Sequence, residues 1–590
     1  MAAVTKAGPR RVGTCALLLL PCLALALTGV QIMTVAELKP GMIGTGRSVF
    51  FGTEVREFGV EVVDVMRQVS PRGDLILCRL SGQGLEQSGV IAGMSGSPVY
   101  IDGRLIGAVS YAWGFAKEPL AGVTPAAEML RIWDIPDQPR NRAGLRTPRI
   151  SDSSGLTGLS ALPLPLAMSG LTPALAALVE QEMRKFGFTP LAAAGSSSAL
   201  PGDTLNLVPG SAVGIALTDG DVRISGIGTL TCRDGDRILA FGHPMVQAGS
   251  VSLPMVGGRI HSIVASVANS FKLFSTTAPL GTISQDRLAG VAGRIGPVPE
   301  MLPVTAVVSS TSGLDTYRFR TVDLENLAPM LIATGLADVI YQTEGNLEEV
   351  TLASRMTVHF TTAGTSRPAP GSLLPPLVIE HRFSGVNPAA GLFRTTGNEL
   401  ETLFANRFLP APVQAVEFDV RINPGRDLAY LLSARPQTTS VHPGDSVSIT
   451  LGLRDYRGLD SDMTVTIGIP GPTPEGNLRI VIGPPDSVLA LEALRAPGRL
   501  EPSSFAELTR LLSETGSENN LVAVGLTARP GLTISGRELP MPPPSLRSVL
   551  LDRQSDKKVI PTSESPVLRQ TFHLDRIISG VTSIDVEVKR

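Results

Sequence analysis

The chain has 590 residues, 43% of them hydrophobic and 18% charged, with a formal net charge of −2. That length is too great for one core and implies several domains, and the composition excludes a disordered chain. The near-zero charge gives no basis for binding nucleic acid or an anionic surface, and 61 Gly and 47 Pro against six Tyr and two Trp favour short strands and turns over long helices.

Lys6, Arg10 and Arg11 precede the apolar run "VGTCALLLLPCLALALTGV", the pattern of a secretory signal segment over residues 1–33. Its length is near that of a membrane span, so membrane contact is expected only through this segment if it stays uncleaved. Cys15 and Cys22 leave with it, which leaves Cys78 and Cys232 as a pair to form or as two buried thiols. The chain has no HExxH, no CxxC and no His–carboxylate cluster at ligand spacing, and no cofactor is expected.

Residues 34–134 read as short strands, among them "EFGVEVVDVM", "DLILCRL", "SPVYID" and "RLIGAVSYAW", with an Asp-Gly hairpin turn at "IDGR". A short helix, "PAAEMLRIW", closes this block, with Thr124 as its expected N-cap and Pro125 as its first residue. Residues 135–204 read as a polar linker and a helical insertion, the helix being "TPALAALVEQEMRKFGF". Strands return over 205–362, and "TAGTSRPAPGSLLPP" marks an expected linker at 363–376. Residues 377–590 read as a β-rich region with sandwich-like strands and one helix near 503–514.

The stretch with most chemical content is "GVIAGMSGSPVYIDGRLIGAVSY", residues 89–111. A nucleophile elbow is excluded, because Ser97 stands where that motif needs its last glycine and a hairpin follows in place of a helix. The segment resembles the serine loop of chymotrypsin-like proteases, in which backbone N–H groups of the nucleophile and of the residue two before it hold the oxyanion. By that likeness Ser95 is the nucleophile, Gly93 and Ser95 are the oxyanion donors, and Gly89 lies at the base of the specificity pocket. The strand through Ser110, Tyr111 and Gly114 pairs with extended substrate.

A serine needs a base. Of the histidines at 243, 261, 359, 381, 442 and 573, only His243 ends a strand in a glycine turn, "AFGHPM". "GIGTLTCRDGDRILAFGH", together with the serine segment and "PLGTISQDRLAGVAGRIG", resembles the SpoIVB-type sporulation serine peptidases over roughly residues 34–130 and 205–300. The likeness implies a mainly β, chymotrypsin-like double β-barrel with a helix inserted between its halves, then a β-sandwich-like C-terminal region. It also implies limited cleavage of a protein partner by an exported, periplasmic or extracellular enzyme, with Ser95 as nucleophile and His243 as base. Two departures stand out: the serine half precedes the histidine half, as in a circular permutation, and no Asp lies just before GMSGSP. Asp74 and, less well placed, Glu86 are the candidates for the acid. The competing reading is an envelope binding or scaffold protein that keeps the peptidase fold without its activity.

Overall fold

Apolar residues at every second position give residues 43–125 strands with one face for a core. The computed structural model describes residues 29–590 apart from 71–72, 137–158, 171, 193–205, 346, 348, 362–373, 386, 515–519, 535, 553–558 and 590. Strands β1 (Ile43–Val49), β2 (Val55–Ser70), β3 (Gly73–Ser81), β4 (Pro98–Ile101), β5 (Arg104–Trp113) and β6 (Leu120–Pro125) pair antiparallel in the order β4-β1-β2-β3-β6-β5. A further β4–β5 pairing closes this ring into a six-stranded barrel. Phe58, Val60 and Val62 of β2 and Ile76, Cys78 and Leu80 of β3 alternate into its core. The hairpin at Asp102–Gly103 has φ of 49° and 75°, the left-handed pair that a two-residue turn needs.

A one-turn helix, α1 (Leu85–Ser88), leads into the serine loop, and α2 (Ala126–Leu130) follows β6. Of the expected signal segment, residues 1–28 lie outside the described ones. Residues 31–33 belong to the barrel: the Leu105 N–H donates to Gln31 O and the Met33 N–H to Leu105 O.

The chain then forms β7 (Leu159–Ala161), β8 (Leu164–Met168), α3 (Pro173–Arg184) and β9 (Phe188–Ala192). Helix α3 is the inserted helix, with the Thr172 hydroxyl accepting from the Leu175 N–H at 3.2 Å as its cap. A second ring comprises β10 (Ala212–Gly220), β11 (Ile224–Asp234), β12 (Arg237–Ala240), β13 (Gly249–Val264), β14 (Phe271–Arg287) and β15 (Gly290–Ile295). Its order is β10-β13-β14-β15-β12-β11, and β11 pairs back onto β10. The architecture is therefore the expected mainly β double barrel, with the serine-bearing barrel first in the chain.

The second barrel does not end its sheet. Strands β16 (Leu302–Ser310) and β17 (Gly313–Thr321), helix α4 (Ala328–Thr343), β18 (Val350–Phe360), β19 (Leu377–Gly385), helix α5 (Pro388–Phe404) and β20 (Val413–Pro424) continue it outward from β10 in the order β17-β16-β20-β18-β19. Helix α4 is buried along nearly its whole length and packs against α5. The expected linker at 363–376 thus joins two paired strands of one sheet. Beyond it, a four-stranded and a five-stranded sheet share an apolar core that includes Ile449, Ile467, Ile480 and Val586, the sandwich-like C-terminal region. Cys78 and Cys232 are free thiols in different apolar clusters, and burial pushes both up to about 12.

The two barrels meet along a seam. Leu105, Met129 and Ile132 pack against Cys232, Leu239 and Ala292, and Gly52 and Ile260 exchange backbone hydrogen bonds at 2.7 and 2.8 Å. Gly96 lies in the closest approach: its φ is +93°, and a Cβ there would sit 2.0 Å from Thr229 O and 2.4 Å from Phe241 N. Gly96→Ala is expected to lower the unfolding free energy by at least ~2 kcal/mol, since both the backbone angle and the space are refused. Gly103→Ala, with nothing within 4 Å of its Cβ, is expected to cost only the ~1 kcal/mol of the left-handed conformation. Urea unfolding of the two variants checks the difference.

Candidate active site

The serine loop joins α1 to β4 and is held from the opposite barrel. The Thr229 N–H donates to Ser95 O at 2.7 Å, the Thr229 hydroxyl to Gly93 O at 3.0 Å, and the Thr231 hydroxyl to Gly96 O at 2.8 Å. Two alternate threonines of β11 therefore fix three carbonyls of the loop. From Ala92 to Ser97 its N–H groups divide in a regular way. Those of Ala92, Met94, Gly96 and Ser97 donate to Ser270 O, Ile91 O, Val109 O and Met94 O, whereas the N–H groups of Gly93 and Ser95 make no hydrogen bond among the described residues. Gly93 has φ +96° and lies over the aliphatic stem of Lys272.

The two serines of the motif differ in the same way. The Ser97 hydroxyl is engaged, donating to Ser48 Oγ at 3.1 Å and lying 3.5 Å from Thr229 Oγ1. Ser95 is wholly buried and its Oγ has no hydrogen-bond partner among the described residues.

His243 follows β12 in a turn whose Phe241 and Gly242 both have φ near +70°. The left-handed backbone at Phe241 is strained, and its ring is 1% exposed, so packing holds it there. The turn is tied to the serine loop and to the first barrel. The Phe241 N–H donates to Thr229 O at 3.3 Å, and the Thr124 hydroxyl, expected as a helix cap, donates to Gly242 O at 2.7 Å. Thr229 thus contacts both loops through its own peptide groups.

The His243 Nδ1 lies 2.8 Å from Pro244 O. A carbonyl can only accept, so Nδ1 carries the proton and Nε2 holds the lone pair. Nε2 is buried without a hydrogen-bond partner among the described residues, and it is not hydrogen-bonded to Ser95. Burial pushes the imidazole down to about 4, against a smaller opposing effect from Pro244 O, so the ring is neutral over the physiological range.

The sequence candidates for the acid lie elsewhere. Asp74 accepts from Arg67 at 3.1 Å and from the Gln68 N–H at 2.9 Å, and Glu86 accepts from the Gly82 N–H. Sequence reasoning missed Asp286. Wholly buried on β14, it accepts from the N–H groups of Met245, Val246 and Ala248 at 2.8, 3.0 and 3.1 Å, the turn just after His243. Burial pushes Asp286 up while these N–H groups hold it down. Lys272 was also missed: it is wholly buried, its Nζ donates to Ser48 Oγ at 2.9 Å, and burial pushes it down to about 7. Of the other histidines, His381 pairs with buried Glu399 at 2.8 Å in the outer layer, a structural contact.

Gly89 and Gly114 line one cavity of about 320 Å³, shared with Ala92, Trp113, Phe115 and Leu162. Ser110 turns its hydroxyl onto Ala108 O at 2.7 Å, and Tyr111 is half-buried. Both sit on the edge of β5 that β7 pairs with.

Residues 27–130 match the family described as SpoIVB peptidase S55. No curated protein and no solved structure matches the chain.

The buried bases set a pH dependence. His243 and Lys272 both titrate lower in the folded chain than in the unfolded one, so between about 4 and 6.5 and between about 7 and 10.5 the unfolded state binds more protons. Stability is expected to rise with pH through both windows, each group contributing a slope approaching ~1.4 kcal/mol per pH unit, and to fall as the solution is acidified. Urea unfolding across pH checks this: His243→Gln should flatten the lower window and Lys272→Met the upper one.

Proposed function

The chain carries a SpoIVB-type serine peptidase segment in residues 27–130, and on that premise we propose that it is an exported serine endopeptidase making limited cuts in a protein partner. Ser95 attacks the scissile carbonyl, His243 Nε2 takes the hydroxyl proton and returns it to the leaving amine, and the Gly93 and Ser95 N–H groups receive the oxyanion. One observation carries this reading. From Ala92 to Ser97 the N–H groups of Ala92, Met94, Gly96 and Ser97 are committed, whereas among the described residues those of Gly93 and Ser95, on either side of Met94, and the Ser95 hydroxyl find no partner.

The missing acid has a physical substitute. An acid in such a site holds the base in one tautomer and orients it. The Pro244 carbonyl does the first for His243, and Asp286 fixes the backbone of the turn that presents this carbonyl. Asp286 is a positioning residue, acting through the Pro244 turn. A carbonyl stabilises an imidazolium less than a carboxylate does, so slow, selective turnover is the expected kinetic character. Export rests on the N-terminal segment. Among the described residues no helix is long and apolar enough to cross a membrane.

A fluorophosphonate probe applied to the chain without residues 1–28 is expected to label Ser95. Ser95→Ala and His243→Ala are expected to lose labelling or turnover by at least ~10⁴-fold, while Ser97→Ala keeps it. A folded chain that takes no label, either as the parent or with the Ser160→Pro change that loosens the strand beside the site, would establish the binding-protein reading in place of this one. The acid limb of kcat/KM is expected near pH 4, well below that of an ordinary histidine, because this limb reports the free enzyme's base. Asp286→Asn is expected to lower kcat by about 10²-fold with KM little changed, since it misplaces the turn, and Asp74→Asn to leave both within about twofold; steady-state kinetics separates the two.

A further inference from the structure

Strand β5 pairs with β4 along its first half and with β6 along its second. Past the end of β4 its other edge, residues 110–113, would present unpaired N–H and C=O groups, the kind of edge that recruits an extended peptide. This is the edge that the likeness to chymotrypsin-like proteases assigns to substrate, and the chain itself occupies it. Leu159, Ser160 and Ala161 pair antiparallel with Trp113, Ala112 and Tyr111, and the Leu162 N–H donates to Ser110 O at 2.9 Å.

The manner of attachment is that of a bound peptide. Ser160 and Ala161 are exposed, so their side chains add little to the core, and the backbone ladder holds them. Leu162 alone is buried, at 4% exposure. It joins the first barrel's core beside Met94 and Ile91 and lines the cavity that Gly89, Ala92 and Gly114 share. The next residue, Pro163, has no N–H and a fixed φ, so the ladder stops and the chain passes into β8 of the other sheet. Nothing in the barrel needs β7: the ring is already closed by the β4–β5 pairing.

We propose that Leu159–Leu162 is a built-in occupant of the substrate cleft. It takes the place of the residues leading to the scissile bond, with Leu162 nearest that bond; the Gly93 and Ser95 N–H groups do not hold the Leu162 carbonyl, so the strand blocks the edge without being poised for attack. The substrate class follows: an extended segment with small or polar residues leading to a branched aliphatic one. The chain as folded is closed, in keeping with the complete burial of Ser95 and with a His243 not yet bonded to it. Substrate, or an event that draws β7 away, must displace this strand before cleavage. This inference rests on the peptidase reading, and its test separates the two.

Ser160→Pro removes an N–H that alternation in the ladder directs at Ala112, with little change at an exposed side chain. In a Ser95→Ala background, which removes the chemistry, a fluorescent Leu-Ser-Ala-Leu peptide is titrated against the chain with and without Ser160→Pro. The expected result is about fivefold tighter binding to the Ser160→Pro chain, the factor given by losing one hydrogen bond of ~1 kcal/mol. Leu162→Ala, which empties the cavity instead of breaking the ladder, should act in the same direction, and circular dichroism confirms that each variant folds. Equal affinity for parent and both folded variants overturns the proposal. In parallel, fluorophosphonate labelling is followed with Ser95 intact. Tighter peptide binding with no labelling of any chain leaves the occupied edge standing and removes the peptidase reading. Labelling of Ser95 with unchanged peptide affinity does the reverse.

Discussion

One residue of the second barrel holds the geometry of the site together. Thr229 donates its N–H to Ser95 O and its hydroxyl to Gly93 O, and its carbonyl accepts from the N–H two residues before His243. Each peptide bond is planar, so fixing a carbonyl also fixes the direction of the N–H across the same C–N bond. The Lys272 N–H, on Ala92 O at 3.1 Å, holds the peptide that carries the Gly93 N–H. The Ser95 N–H shares its peptide with Met94 O, which accepts from the Ser97 N–H inside the loop, so in this reading oxyanion geometry is set by β14 and the loop's own turn, and the Thr229 bonds fix the Met94 and Gly96 N–H groups on either side of Ser95. The buried polar chain Lys272–Ser48–Ser97–Thr229 runs through the same place and ties β14, β1 and the serine loop to β11.

Much of this was legible in the sequence, and the limits have identifiable causes. The double barrel follows from alternating strands and from the likeness of two separated segments to one peptidase family. Ser95 and His243 stand out because a tight glycine turn leaves a local signature. Asp286 leaves none. It acts on backbone N–H groups some forty residues away, any sequence could provide those, and the stretch "SQDR" around it entered only as part of the family likeness. Thr124 shows a related ambiguity: a threonine before proline is a good helix cap, but here its hydroxyl reaches the histidine turn of the other barrel. Local chemistry could not distinguish these uses.

The outer layer was hidden for a different reason. Residues rich in Pro, Gly and Ser at 363–376 read as a linker, yet β18 and β19 on either side are paired over nine positions. Composition reports how a segment is solvated, not which strands it joins. Helix α4 was missed as well, since a helix buried on all sides has no polar face to give it a period. By contrast, the C-terminal sandwich, with one solvated face per sheet, alternates visibly, and its strands were found.

The order of the two barrels carries a consequence of its own. Whether a chain leaves a ribosome or threads an export pore, it emerges N-terminus first, and domains tend to fold as they appear. The first barrel closes on itself through β4 and β5, so it can form while β11 is still to come. During that interval the carbonyls of Gly93, Ser95 and Gly96 have no threonines to hold them, and the imidazole does not yet exist. With the serine half made first, the hydroxyl is present early but harmless, and competence arrives only with the later half of the chain. In the proposed reading the order of the barrels thus acts as a timer, delaying any reactive state until about half of the polypeptide, through Ile295, has passed beyond the machinery that made or moved it.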